Sequence, residues 1–125
     1  MDRKGLIFMT SAELKDKCVE LLEERKASNV KVIDIEGVSS MSDYFIIATG
    51  TSSTNIIAMS EYLELKLKEI GISPNHVEGY RSSNWILLDY GDIVIHIFLE
   101  SERKYYNLED FWQNQSVQNS DYERE

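Results

Sequence analysis

The sequence predicts an α/β fold, a mixed five-stranded sheet packed with helices. Two long segments repeat apolar residues every three to four positions, as amphipathic helices do. Short alternating or wholly apolar runs follow each of them, separated by glycine and small polar residues. Helix, two strands, helix, three strands, helix within one chain implies a mixed sheet with helices against it.

Thr10-Ser11-Ala12-Glu13 has the form of a capping box, a hydroxyl residue followed three positions later by glutamate. It opens a helix expected over about residues 11–27, with Leu14, Cys18, Leu21 and Leu22 on one stripe. On that stripe Cys18 reads as a small core residue rather than a nucleophile. Residues 30–35 alternate in the manner of a strand, and residues 37–42 make a short connection. The run 43–49 is almost unbrokenly apolar, which suggests a central strand covered on both faces. After Gly50-Thr51-Ser52-Ser53-Thr54 comes a second helix, with Ile56, Met59, Leu63, Leu67 and Ile70 on its buried stripe and Gly71 at its end.

The turn Ile72-Ser73-Pro74-Asn75 leads to a third strand at about residues 76–80, and residues 81–84 form a hairpin loop. Residues 85–89 and 92–98 are the fourth and fifth strands, joined by Tyr90-Gly91 as a two-residue turn. Leu108, Phe111 and Trp112 fall at helical spacing and predict a last short helix. The long helix between the second and third strands suits a crossover, so those two strands are expected to run parallel. Residues 1–9 read as an N-terminal extension, 10–112 as the domain, and 113–125 as a flexible acidic and polar tail.

A chain of 125 residues has room for one domain and one core. Its 13 basic and 22 acidic residues give a net charge of −9. Proteins that grip a phosphate backbone need a basic stripe, so direct nucleic-acid binding is disfavoured as the main contact. A basic protein partner suits the charge better, although acidity also serves solubility alone. The single cysteine rules out an internal disulfide and fits a reducing, cytoplasmic setting. No apolar run approaches the roughly 20 residues that span a bilayer. The first eight residues make a poor signal peptide, and Met9 is a second candidate start.

The loop at residues 50–54 sits between a buried strand and a helix, where phosphates often bind. It lacks the P-loop lysine and the full glycine spacing, so a helix N-cap built from serine and threonine is the favoured reading. A nucleotidyltransferase would also need carboxylates on neighbouring strands to hold magnesium. Asp34-Ile35-Glu36 precedes the loop, and no Asp-x-Asp pair follows it. Neither His76 nor His96 has a convincing metal-ligand set around it, and the sequence calls for no metal and no cofactor.

The last hairpin is more informative. With Tyr90-Gly91 as its turn, Asp89 lies opposite Asp92, Leu87 opposite Val94, and Trp85 opposite His96. Those six share one face, while Ile86, Leu88, Ile93 and Ile95 share the other, the better core face. Like charges opposed across strands cost up to about 1 kcal/mol, which a cationic partner would relieve. Two readings stay open: a docking surface anchored by Trp85, or carboxylates in water at a hairpin end with Trp85 under a helix.

Taken together, four segments resemble the ribosomal silencing factor family, also called Iojap-like. They are Ser42-Asp43-Tyr44-Phe45 and its continuation to Ser52, Glu78-Gly79, the whole run from Trp85 to Phe98, and residues 103–112 ending in Phe111-Trp112. The family usually shows Leu-Trp at that end. The resemblance implies a nucleotidyltransferase-like fold without the catalytic carboxylates, and no enzyme activity. It implies a translational repressor that binds the large ribosomal subunit through the basic ribosomal protein uL-fourteen. Docked there, it would sterically block subunit joining under nutrient limitation. It also implies that the chain can form homodimers. The family-like surface would comprise Trp85, Leu87, Asp89, Asp92 and His96, with Tyr105, Tyr106 and Glu109 nearby. The alternatives are a nucleotide-binding protein or nucleotidyltransferase-like enzyme using the 50–54 loop, or a ribosome-assembly interaction module.

Overall fold

The capping box forms as its spacing implies: Glu13 N–H donates to Thr10 Oγ1 at 3.0 Å, and Thr10 N–H donates to Glu13 Oε1 at 2.9 Å. The computed structural model of the chain describes residues 9–38, 40, 42–81 and 84–102. In order these form α1 (Ser11–Glu24), β1 (Ser28–Asp34), β2 (Tyr44–Gly50), α2 (Ser53–Glu69), β3 (His76–Glu78), β4 (Trp85–Asp89) and β5 (Ile93–Leu99). The expected helix around Leu108, Phe111 and Trp112 lies outside the described residues.

α1 stops three residues short of its expected end. Lys26 N–H and Ala27 N–H turn back onto the carbonyls of Glu23 and Leu22. This double closure needs a left-handed residue after the cap, and Lys26 supplies it at φ 65°. Ala27 then packs against the core instead of extending the helix. α2 closes with the same two bonds, here with Gly71 in the left-handed position. Tyr62 of α2 ties the helices together. Its hydroxyl donates to Glu24, and the Arg25 guanidinium lies 4.2 Å from its ring centre.

The sheet order is β1-β2-β5-β4-β3. β2 and β5 run parallel, Tyr44 opposite Ile93 through Gly50 opposite Leu99, and every other pair is antiparallel. β2 and β3 therefore point the same way, as the crossover argument expects, but β5 and β4 stand between them. Both outer strands are blunted: β1 carries a register shift between Ser28 and Lys31, and β3 is three residues long with His76 and Glu78 exposed.

α1 and α2 pack on one sheet face. Leu14, Cys18, Leu21 and Leu22 from α1 and Ile56, Met59, Leu63 and Leu67 from α2 meet Ile46, Ala48, Ile86, Leu88, Ile93, Ile95 and Ile97. A fully buried Leu or Ile of this kind contributes roughly 1.5–3 kcal/mol. The other face carries a smaller cluster of Ile33, Ile35, Ile47 and Phe98, with Val38, Phe45 and Trp85 packed on it. The turn after β1 folds Ile35 and Val38 over that cluster, Val38 N–H donating to the Ile35 carbonyl. β2 is thus covered on both sides, as its composition implies.

The last hairpin corrects the expected register. Its two-residue turn is Gly91-Asp92, not Tyr90-Gly91, and Tyr90 N–H donates to the Ile93 carbonyl at 2.8 Å. Gly91 at φ +88° supplies the positive φ that a tight hairpin turn requires. Asp89 is opposite Val94, Leu87 opposite His96 and Trp85 opposite Phe98, so the two carboxylates are not directly opposed. The shift is two residues, an even number, so each strand side chain keeps its predicted face, while Asp92 moves from the strand into the turn.

Gly79, at φ +101°, lets the β3–β4 connection cross the β4 backbone. A Cβ there would stand 2.0 Å from the Trp85 carbonyl oxygen. Gly79→Ala is expected to lower unfolding stability by about 2 kcal/mol or more, from strain and backbone displacement. Lys26→Gly, which relieves a left-handed lysine, is expected to raise it by up to about 1 kcal/mol. Urea unfolding midpoints measure both.

Candidate docking surface on the sheet face away from α1 and α2

Strand periodicity assembles the face away from the helices in three rows. Lys31, Ile47, His96, Leu87 and Glu78 form one, running from edge to edge. Ile33, Phe45, Val94, Asp89 and His76 form the next, and Thr49, Phe98 and Trp85 a third. On the β1–β2 side Ile33 and Ile47 are buried beside Ile35. Toward β4 and β3, Trp85, Leu87, Asp89 and Val94 are half-buried, while His76, Glu78 and Asp92 are exposed. That half of the face is an apolar strip edged by Glu78, Asp89 and Asp92.

Asp89 is held in place. Its Oδ1 accepts from Gly91 N–H at 2.8 Å, and its carbonyl accepts from Asn75 N–H at 2.7 Å. The hairpin tip is pinned to the start of β2. Ser42 Oγ donates to the Gly91 carbonyl at 2.6 Å, and the Asp43 and Tyr44 N–H groups both donate to the Asp92 carbonyl. The segment beginning at Ser42 and the hairpin are thus one bonded unit, which fixes where Asp92 stands.

His96 differs from the surface position expected of it: it is 4% exposed. Its ring lies among Phe45, Trp85 and Phe98, with centroid distances of 5.0, 5.8 and 6.1 Å. Trp85 Nε1–H donates to His96 Nδ1 at 3.0 Å. An indole nitrogen can only donate, so Nδ1 bears the lone pair and the neutral ring carries its proton on Nε2. Nε2 is buried without a hydrogen-bond partner among the described residues. Desolvation pushes the imidazole from its usual 6.5 down to about 4.

The 50–54 loop is filled by its own side chains. Asn55 N–H donates to Ser52 Oγ and Thr51 N–H to Asn55 Oδ1, so local oxygens already occupy the helix start. Gly50 is there for packing, since a Cβ would lie 2.4 Å from Ile56 Cγ2. Asp34 is exposed and uses Oδ1 on Glu36 N–H. Burial pushes the Cys18 thiol up to about 12, which keeps it protonated and unreactive. Among the described residues no group of three or more His, Cys, Asp or Glu could hold a metal ion. No described helix is long and apolar enough to cross a membrane.

Residues 9–125 match the family described as ribosomal silencing factor during starvation. The chain belongs to the ribosomal silencing factor family. It is 36% identical to the ribosomal silencing factor of Halalkalibacterium halodurans over 104 residues, covering 83% of this chain and 89% of the relative. Its likeness to the Bacillus subtilis ribosomal silencing factor is 32% over 122 residues, 98% of this chain and 97% of the other. The crystal structure of a Chromobacterium violaceum protein superposes with a TM-score of 0.82 at 33% identity, over 84% of this chain and 88% of that one.

Of the surface residues expected from the ribosomal silencing factor resemblance, Trp85, Leu87 and Asp89 share one half-buried patch. Asp92 stands at its tip and His96 beneath it. Tyr105, Tyr106 and Glu109 lie outside the described residues. Sequence reasoning missed His76 and Glu78, which join the patch from β3 and contact each other. Alternation along 76–78 was the available signal, but three residues are too few to show a period.

His96 gives the fold a pH dependence. The folded protein keeps the ring neutral to about pH 4, whereas the unfolded chain protonates it near 6.5. Between those values the unfolded state holds the extra proton. The contribution is therefore full above pH 6.5 and is lost as pH falls toward 4, on the order of 3 kcal/mol in all. Urea unfolding at pH 7 and pH 5 should show about 2 kcal/mol of this loss, and His96→Leu should flatten it.

Proposed function

We propose that this protein is a translational repressor that docks on the large ribosomal subunit through ribosomal protein uL-fourteen. Bound there under nutrient limitation, it keeps the small subunit from joining by steric exclusion. The observation that carries this reading is the patch of Trp85, Leu87, Asp89 and Val94 on the sheet face away from α1 and α2, with Glu78 and Asp92 at its margin. An apolar strip with an aromatic anchor and an acidic rim suits a basic protein surface. Family membership and a net charge of −9 point the same way. The nucleotidyltransferase-like framework serves here as a scaffold without transferase chemistry, the 50–54 loop being used for capping and packing. Homodimer formation, which the family resemblance implies, belongs to the same proposal, as do the roles of Tyr105, Tyr106 and Glu109.

Co-sedimentation with each purified ribosomal subunit tests the proposal. The protein is expected to travel with large subunits and to reduce their joining to small ones. Binding to small subunits alone, or undiminished joining at saturating protein, would exclude it. Asp92→Lys reverses an exposed charge and leaves intact the backbone carbonyl that holds β2. It is expected to weaken large-subunit binding several-fold at low salt and less at high salt. Affinities at two ionic strengths check this.

A further inference from the structure

His96 lies beneath the proposed docking patch and is too buried to touch a partner directly. It does touch the patch's anchor. Among the described residues, the Trp85 indole is stacked on Phe98 at a centroid distance of 4.8 Å and 29°, and hydrogen-bonded through Nε1 to His96 Nδ1. Stacking fixes the plane of an indole but leaves sliding and flipping within that plane open. A hydrogen bond to the ring nitrogen removes that freedom, because Nε1–H is the only polar group on the ring.

His96 itself has little room to turn. It sits on β5 between Ile47 and Leu87 in its row, with Phe45 and Phe98 around its ring. The acceptor at Nδ1 is therefore a fixed point in the sheet. The backbone supplies the rest of the frame: Gly79 in the β3–β4 connection packs against the Trp85 carbonyl, and Trp85 pairs with Phe98 of β5.

We propose that His96 is a positioning residue, which orients the Trp85 indole for docking by accepting its N–H at Nδ1 while making no contact with the partner. The inference rests on the docking reading above. It assigns separate tasks to two residues that the sequence placed side by side on one surface: Trp85 supplies contact area, and His96 supplies the direction in which that area faces. An anchor set in its bound orientation loses less freedom on association.

Three single variants and one double-mutant comparison separate this role from a structural one. Trp85→Ala should weaken large-subunit binding by at least about 30-fold, as loss of an anchoring tryptophan does. His96→Leu fills the site with apolar volume but lacks the acceptor, and should weaken binding about fivefold to tenfold. His96→Asn places an oxygen near the Nδ1 position and should restore most of that loss. In a Trp85→Phe background, which has no N–H to accept, His96→Leu should have no further effect.

Nitrogen NMR of the unaltered protein gives an independent reading. It should show His96 protonated on Nε2 only, and a single hydrogen-bonded Trp85 indole signal that shifts in His96→Leu. Normal binding by folded His96→Leu, while Trp85→Ala binds poorly, would overturn the positioning role alone. Normal binding by Trp85→Ala would remove the docking reading and the positioning role with it. A proton found on His96 Nδ1 would overturn the positioning role without any binding measurement.

Discussion

Everything in the sheet depends on the parallel pairing of β2 with β5. Seven residues of each strand are in register, and both strands lie inside the sheet. The pairing sends Ile46 and Ala48 with Ile95 and Ile97 toward the helices, and Ile47 and Thr49 with His96 and Phe98 to the opposite side. Because side chains alternate, a slip of one residue would exchange the two sets and bury the wrong groups against α1 and α2. Three hydrogen bonds from Ser42, Asp43 and Tyr44 to the tip of the last hairpin secure the alignment at one end. Parallel neighbours require a long connection, and here α2, β3 and β4 all fall within it.

The helices were legible because their signals are local. A hydroxyl residue with glutamate three positions on, a stripe at helical spacing and a terminal glycine place α1 and α2 without reference to the rest of the chain. The left-handed Lys26 was not legible, since nothing in its side chain favours that conformation and only the closing hydrogen bonds explain it. The last hairpin was legible as to face but not as to register. Gly91 suits either turn position, and the choice follows from the bonds between the tip and β2, which join residues far apart in sequence.

Strand order was beyond reach for the same reason: no short segment records that β5 lies beside β2. The burial of His96 was hidden by a different mechanism. A histidine in an alternating strand reads as a surface group, and its cover comes from Phe45 on another strand and from Trp85 on the next. The proposed site is therefore visible in the sequence as a set of residue types, while the division between those that face outward and those that support them belongs to the tertiary structure. The buried Nε2 of His96 and the buried hydroxyl of Tyr90 have no partners among the described residues. Each such group costs roughly 1–3 kcal/mol. The apolar cores on both sides of the sheet offset that cost.

The two blunted outer strands bear on edge-to-edge association. A long, flat outer strand offers unpaired amides to any extended chain and templates stacking without limit. The register irregularity in β1 and the charged, three-residue β3 make poor templates. Open-ended ribbon growth through the sheet edges is thereby disfavoured, whereas the proposed docking on the broad side of the sheet ends with a single partner.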